Sequence, residues 1–208
     1  MKRVVITGMG VISPVGNSLK AFWDGLLAGV CGVGPITRFD TEGFKAKLAA
    51  EVKDFNPADF GMDVPTQRRM DKFTQYAVAA AKQAVEESGI VGTVEPERLG
   101  VYVGSGIGGM STFVEQSNRL NERGPSRVSP LFLPMMISHM AAGTIAIQYN
   151  AQGPCLPTVT ACATSTHAVG EAYRAIAHGY ADAIIAGGTE AAITPLAVAG
   201  FTTCMALS

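Results

Sequence analysis

The stretch "TVTACATSTHAVG", residues 158 to 170, places one thiol among small side chains. Cys162 lies between Ala161 and Ala163, with hydroxyls at Thr160, Thr164 and Ser165. Free cysteines are among the most buried residues and most often only fill space. Cys31, Cys155 and Cys204 are read that way. Cys162 differs in position, because a β-branched run gives way there to a helical pattern. At such a junction, unpaired N–H groups and the positive end of the helix dipole favour a thiolate. They draw a thiol pKa down from about 8.5. The small neighbours permit a tight turn of nucleophile-elbow type and leave room for a substrate. Position alone leaves the packed and the reactive readings both open.

A reactive thiol usually has a base, and none is obvious. His167 is five positions on, which puts it about 140° around a helix from Cys162, so a local Cys–His dyad is not expected. His139 reads as a packed or surface histidine. His178 precedes Gly179 at a helix end, where interaction with the helix dipole accounts for it. The four cysteines lack C-x-x-C spacing, which argues against a zinc or dithiol site and suits a reduced, cytoplasmic setting.

A second chemical motif competes. Gly104-Ser105-Gly106-Ile107-Gly108-Gly109 satisfies G-x-G-x-x-G after an apolar strand. In a dinucleotide site, a second strand and an acid about 20 residues on should follow. The continuation "FVEQSNRLNERGPSRVSP" is polar and has no such strand. A close-packed turn beside a pocket fits better than a dinucleotide-binding oxidoreductase, which rests on the glycines alone.

These motifs need elements to hold them. Val4-Val5-Ile6 reads as a first buried strand. "NSLKAFWDGLLAG" reads as a helix capped by Asn17 and ended by Gly29. Residues 30–65 are irregular, with a strand over Leu48 to Val52. "MDKFTQYAVAAAKQAVEESG" is a helix with a stripe of Phe73, Tyr76, Ala77, Ala80, Ala81 and Ala84, ended by Gly89. "LGVYVGSGIGG" is a strand entering the glycine loop. A helix after Pro134 carries Ile137, Met140, Ala141 and Ile145. "PCLPTVTA" is a strand, "STHAVGEAYRAIAHG" a helix, and "ADAIIAGG" a further buried strand. Apolar strands separated by helices indicate an α/β domain with a parallel or mixed sheet.

The chain has 208 residues and a net charge of -1, so no field favours nucleic acid or an anionic membrane. Glycines and Pro14 interrupt the opening apolar run, and no stretch approaches the roughly 18 apolar residues of a membrane span. Charged residues are 16% of the chain, below a usual figure of about 25%. That deficit suggests surface covered by a partner subunit or by further chain.

The segment "GPCLPTVTACATSTHAVGEAYRAIAHGYADAIIAGGTEA" resembles the nucleophile region of elongating β-ketoacyl-[acyl-carrier-protein] synthases, type II in particular. So do "RVVITGMGVISPVGN", "RRMDKFTQYAVAAA", "VGSGIGGM", "SPLFLPMMISHMAAG" and "GFTTCMALS". The resemblance runs from end to end and covers the amino-terminal half of family members, the carboxy-terminal half being expected beyond Ser208.

The resemblance implies a thiolase-like fold, a layered αβαβα sandwich of which residues 1–208 form the first half. It makes Cys162 the nucleophile that accepts an acyl chain from acyl carrier protein, with its own amide as an oxyanion donor. Malonyl carrier protein would then lose CO₂ and attack the acyl carbon, without any cofactor or metal. The acid–base histidines and lysine of the family belong to the second half, and none of the three histidines here matches them. Ile107 matches a residue setting acyl-pocket depth, Phe132 one that reaches the partner subunit's pocket, and Phe201 a pocket-lining aromatic. For both phenylalanines core packing is an equal alternative. Arg68 and Arg69 match a carrier-docking patch, though a solvated helix start would also account for them. Residues 154–160 match the strand that pairs across the two-fold of a homodimer. The other expectation is a catalytically incompetent fragment that dimerises or binds carrier.

Overall fold

The computed structural model describes residues 1–207. After an irregular opening come α1 (Leu19–Leu27), the strands β1 (Gly34–Pro35) and β2 (Leu48–Ala49), and the short α2 (Val64–Gln67). Then follow α3 (Lys72–Ser88), β3 (Leu99–Gly104), α4 (Met110–Arg123), α5 (Phe132–Met136) and α6 (Met140–Gln148). The chain ends with α7 (Thr164–Ala177), β4 (Ala183–Gly188) and α8 (Pro195–Thr203). None of the helices is long and apolar enough to cross a membrane.

The centre is a parallel pair, β3 against β4, in register from Leu99↔Ala183 to Gly104↔Gly188. Side chains alternate across it. Val101 and Val103 point to one face and join Phe73, Tyr76, Ala77 and Ile145 of α3 and α6. Tyr102 points to the other and meets Ala168, Ala172 and Ala175 of α7. The result is three layers, α7 over β3–β4 over α6 and α3. Alanine at the contact positions of α7 lets its axis approach the sheet closely.

The long apolar helix forms where its stripe and caps place it. The Asp71 carboxylate accepts from Phe73 N–H at the start of α3, and Gly89 ends it in the left-handed region at φ +60°. Helix α1 also forms, but Ser18 rather than Asn17 caps it by accepting from Ala21 N–H. Asn17 instead donates through Nδ2 to the Lys53 carbonyl at 2.7 Å.

Three expectations are corrected. Val4–Ile6 forms no ladder among the described residues, and Val5 and Ile6 are exposed. No described strand pairs with it, and the chain just beyond it is held instead by side chains of α3. Met9 N–H donates to Glu87 Oε2 at 2.6 Å, Val11 N–H to Gln83 Oε1 at 3.2 Å, and Gln83 Nε2 back to the Val11 carbonyl at 3.2 Å. The segment "PCLPTVTA" is extended but pairs with β3 only around Val101↔Cys155. Proline at 154 and 157 has no N–H to continue the ladder. The helix expected after Pro134 is two, because Ile137 leaves the helical region at ψ 128° and α6 starts afresh at Met140.

Candidate active site

β3 and β4 stop in register at Gly104 and Gly188, so the loops leaving them lie at one end of the sheet. The turn preceding α7 meets those loops. Cys162 is the middle residue of a single 3₁₀ turn, Ala161–Ala163. Threonines shape this turn from below. Thr160 N–H donates to Thr164 Oγ1 at 2.8 Å, and Thr158 Oγ1 donates to the Thr164 carbonyl at 3.0 Å. Ala161 is forced to φ +51°, a left-handed conformation that costs a non-glycine residue about 1–3 kcal/mol. The strain is local to the residue that aims the thiol. Cys162 is exposed, and its amide has no acceptor among the described residues.

Glycines make the close fit possible. A Cβ at Gly104 would run into the Thr158 carbonyl and lie 2.5 Å from Thr164 Cγ2. One at Gly106 would sit 3.4 Å from the Cα and carbonyl of Ala161, and one at Gly188 only 2.7 Å from Ser165 Cβ. On its other side the loop presses on α5, where a Cβ at Gly108 would be 2.5 Å from the Met136 carbonyl. The G-x-G-x-x-G motif is therefore a packing device beneath the cysteine turn. Its amides are already engaged. Gly106 N–H and Ile107 N–H donate to Glu190 Oε2 at 3.0 and 3.2 Å, and Ser105 Oγ donates to Glu190 Oε1 at 3.0 Å. An internal carboxylate occupies the position a pyrophosphate would need.

The histidines stand where their helix positions put them. His167 Nδ1 is 2.7 Å from Thr160 Oγ1, beside the turn, and no hydrogen bond joins it to the Cys162 sulfur. His139 and His178 lie at the start of α6 and the end of α7. Among the described residues no cluster of His, Cys, Asp or Glu could hold a metal ion. The remaining cysteines are also exposed, against the expectation of buried fillers. Cys31 follows the end of α1 and Cys204 the end of α8, where Sγ reaches only a local carbonyl, 3.3 Å away for Cys204. Cys155 differs in that desolvation of its thiol pushes its pKa up. An open cleft of about 760 Å³ lies elsewhere, lined by Arg38, Phe55, Lys72, Tyr76 and Thr194, and includes no residue of the cysteine turn.

A family model described as "Beta-ketoacyl synthase, N-terminal domain" matches residues 1–208. The chain belongs to the β-ketoacyl synthase family. It is 51% identical over 208 residues to 3-oxoacyl-[acyl-carrier-protein] synthase 2 of Staphylococcus aureus (strain COL), covering 100% of this chain and 50% of that protein. To the protein of the same name from Synechocystis sp. (strain ATCC 27184 / PCC 6803 / Kazusa) it is 48% identical, again over 100% of this chain and 50% of the relative. Among solved structures, the ishigamide ketosynthase/chain length factor superposes with a TM-score of 0.89 at 33% identity, covering 100% of this chain and 52% of that one. The chain thus spans about half the length of the curated relatives it matches. Its α/β architecture is the thiolase-like fold of the ketosynthases.

Within this family domain, the residues singled out from the sequence divide into two groups. Ile107 and Phe132 both belong to segments that meet at the glycine loop. Ile107 is 38% exposed on the glycine loop, and half-buried Phe132 opens the helix whose Met135 and Met136 carbonyls abut that loop. Phe201 does not join them through any core contact. Its helix α8 is anchored by Val198 on Ile36 and Ala46, near the β1–β2 hairpin. Arg68 and Arg69 are exposed at the end of α2 and form no ion pair among the described residues. Sequence reasoning missed Glu190, an acid two residues beyond β4 with no local signal of its role. Once β4 pairs with β3, that acid must lie beside the loop leaving β3.

Proposed function

We propose that Cys162 is the acyl-accepting nucleophile of an elongating condensing enzyme that works on carrier-bound substrates. The observation that carries this is the Cys162 turn itself, with an exposed thiol, a free amide and a strained Ala161 holding both toward solvent. In the first step the thiolate attacks the carbonyl of an acyl thioester on carrier protein, and the carrier thiol leaves. Exchange between thioesters is nearly balanced, so the acyl group stays activated. The Cys162 amide donates to the tetrahedral oxyanion. A malonyl thioester then loses CO₂, its carbanion attacks the acyl carbon, and the Cys162 thiolate departs from a 3-oxoacyl carrier product.

The relatives named above support this, since they are 3-oxoacyl-[acyl-carrier-protein] synthases. Arg68 and Arg69, exposed and in no ion pair among the described residues, suit docking of an acidic carrier. Residues 154–160 offer an exposed extended edge, with Leu156 56% and Val159 55% accessible, suited to pairing across a homodimer. Free thiols throughout suit a reduced cytoplasmic setting. Ile107 and Phe132 suit the wall of an acyl pocket, and Phe201 joins them only if α8 contributes to it.

A second reading, a carrier-binding or dimerising module without turnover, is favoured by one observation: no histidine is hydrogen-bonded to Cys162. One experiment separates the two. The full-length protein carrying this chain is given acyl carrier and malonyl carrier protein, and 3-oxoacyl product and CO₂ are measured. Condensation that Cys162→Ala lowers at least about 10³-fold supports the first reading. Condensation surviving that substitution overturns it, and carrier binding without product supports the second.

A further inference from the structure

The Cys162 turn rests on the glycine loop, and the glycine loop hangs on one side chain from the far end of β4. Glu190 spends both carboxylate oxygens there, receiving Ser105 Oγ–H at 3.0 Å, Gly106 N–H at 3.0 Å and Ile107 N–H at 3.2 Å. Ser105 is fully buried and relays the hold, since its Oγ accepts Gly108 N–H at 2.9 Å. Three successive residues and the start of a fourth are thereby fixed without any regular secondary structure. Gly106, held directly, is where the loop meets the turn: a Cβ built on it would stand 3.4 Å from the Cα and carbonyl of Ala161.

We propose that Glu190 is a positioning residue for the reactive thiol: by holding Ser105, Gly106 and Ile107 it fixes the floor on which the Ala161–Cys162 turn stands. This rests on the reading of Cys162 as the nucleophile. The alternative fate of the loop shows why a carboxylate is needed. Without an acceptor, two adjacent amides and a buried hydroxyl lose their partner at once. The loop then relaxes toward water, and Ala161 has no counter-surface to keep it at φ +51°. The role is hydrogen bonding rather than charge. Glu190→Gln keeps one carbonyl oxygen for the two amides and turns its NH₂ to the second lone pair of Ser105 Oγ, so that only the hydroxyl proton loses its acceptor.

Single-turnover acylation of the full-length protein tests this, using an acyl carrier thioester and following label on the Cys162 peptide. The burst amplitude counts intact sites, and the rate constant reports their geometry. Glu190→Ala is expected to lower the rate constant at least tenfold at unchanged amplitude, and Glu190→Gln to stay within threefold of the parent. A lower amplitude with an unchanged rate constant overturns the proposal, making Glu190 merely structural. So does glutamine falling as far as alanine, or no change in either variant. Cys162→Ala run alongside keeps the failures apart. If it retains label, the reading of Cys162 itself fails; if it is blank while Glu190→Ala is unaffected, only the role of Glu190 fails.

Discussion

Helices α3 and α7 cover opposite faces of the same two strands, yet the molecule uses them differently. Helix α3 buries nine of its 17 residues, among them Phe73 at 0% accessibility, and its first turn is tied to α4 through Asp71, which accepts from Thr112 N–H and Oγ1. Helix α7 buries five of 14, four of them alanines, and leaves Val169 and Tyr173 about half exposed. On the α3 side, packing is deep and Asp71 is bound inward, although Gln75 Oε1 has no partner among the described residues. On the α7 side, the polar effort is spent at its first turn, on threonines that shape the cysteine loop. Deep packing therefore lies on one side of the sheet, and the candidate cysteine turn begins the helix on the other.

Substitutions can break that contrast. Phe73→Ala should cost the most, about 3–5 kcal/mol of unfolding free energy by denaturant titration, since a fully buried ring leaves a cavity. Less than about 1 kcal/mol would mean that α3 is not the stabilising face. Gly104→Ala comes next. Its methyl group must displace Thr158 and Thr164, at about 1–3 kcal/mol of overpacking, and acylation of Cys162 should slow as well. A stability loss without slower acylation would uncouple the glycine loop from the thiol.

Tyr173→Ala, on the outer surface of α7, should change stability of this chain by no more than about 0.5 kcal/mol. A larger loss would show that the exposed face of α7 is engaged. The smallest effect belongs to the surface. Hydrogen bonds from Arg98 and then Lys2 hold the Asp182 carboxyl well below the usual carboxylate range. A depressed folded-state pKa contributes stability that is present above the unfolded value of about 3.9 and is lost as pH falls through the folded one. Asp182→Asn should therefore melt slightly below the parent near neutral pH and converge with it in strong acid. High salt should shrink the difference, because all three side chains are exposed.

Much of this organisation is legible in the sequence, for physical reasons that differ by element. The α3 stripe and Gly89 announce a helix because periodicity and the stop signal agree. The apolar runs of β3 and β4 announce parallel strands, β3 buried throughout as expected but β4 only half-buried. The elbow around Cys162 is legible from small residues between a strand-like run and a helix. Val4–Ile6 misleads, because an apolar run states a preference for burial but not which backbone will pair with it, and no described strand does. The break at Ile137 was hidden by an unbroken apolar pattern. Glu190 is invisible locally, since it reaches Ser105, Gly106 and Ile107 only after β4 has taken its register beside β3. The glycine motif shows the same limit from the other side, since its spacing permits phosphate binding and a long-range carboxylate cancels it.

The most direct test of the central claim sets the four exposed cysteines against one another. The full-length protein is exposed briefly to an acyl carrier thioester, and the acyl mass is located by peptide mapping. The account predicts label on Cys162 first and nearly alone, with Cys155, whose thiol is desolvated, far behind. Label spread evenly over Cys31, Cys162 and Cys204, or concentrated on any cysteine other than Cys162, would contradict it.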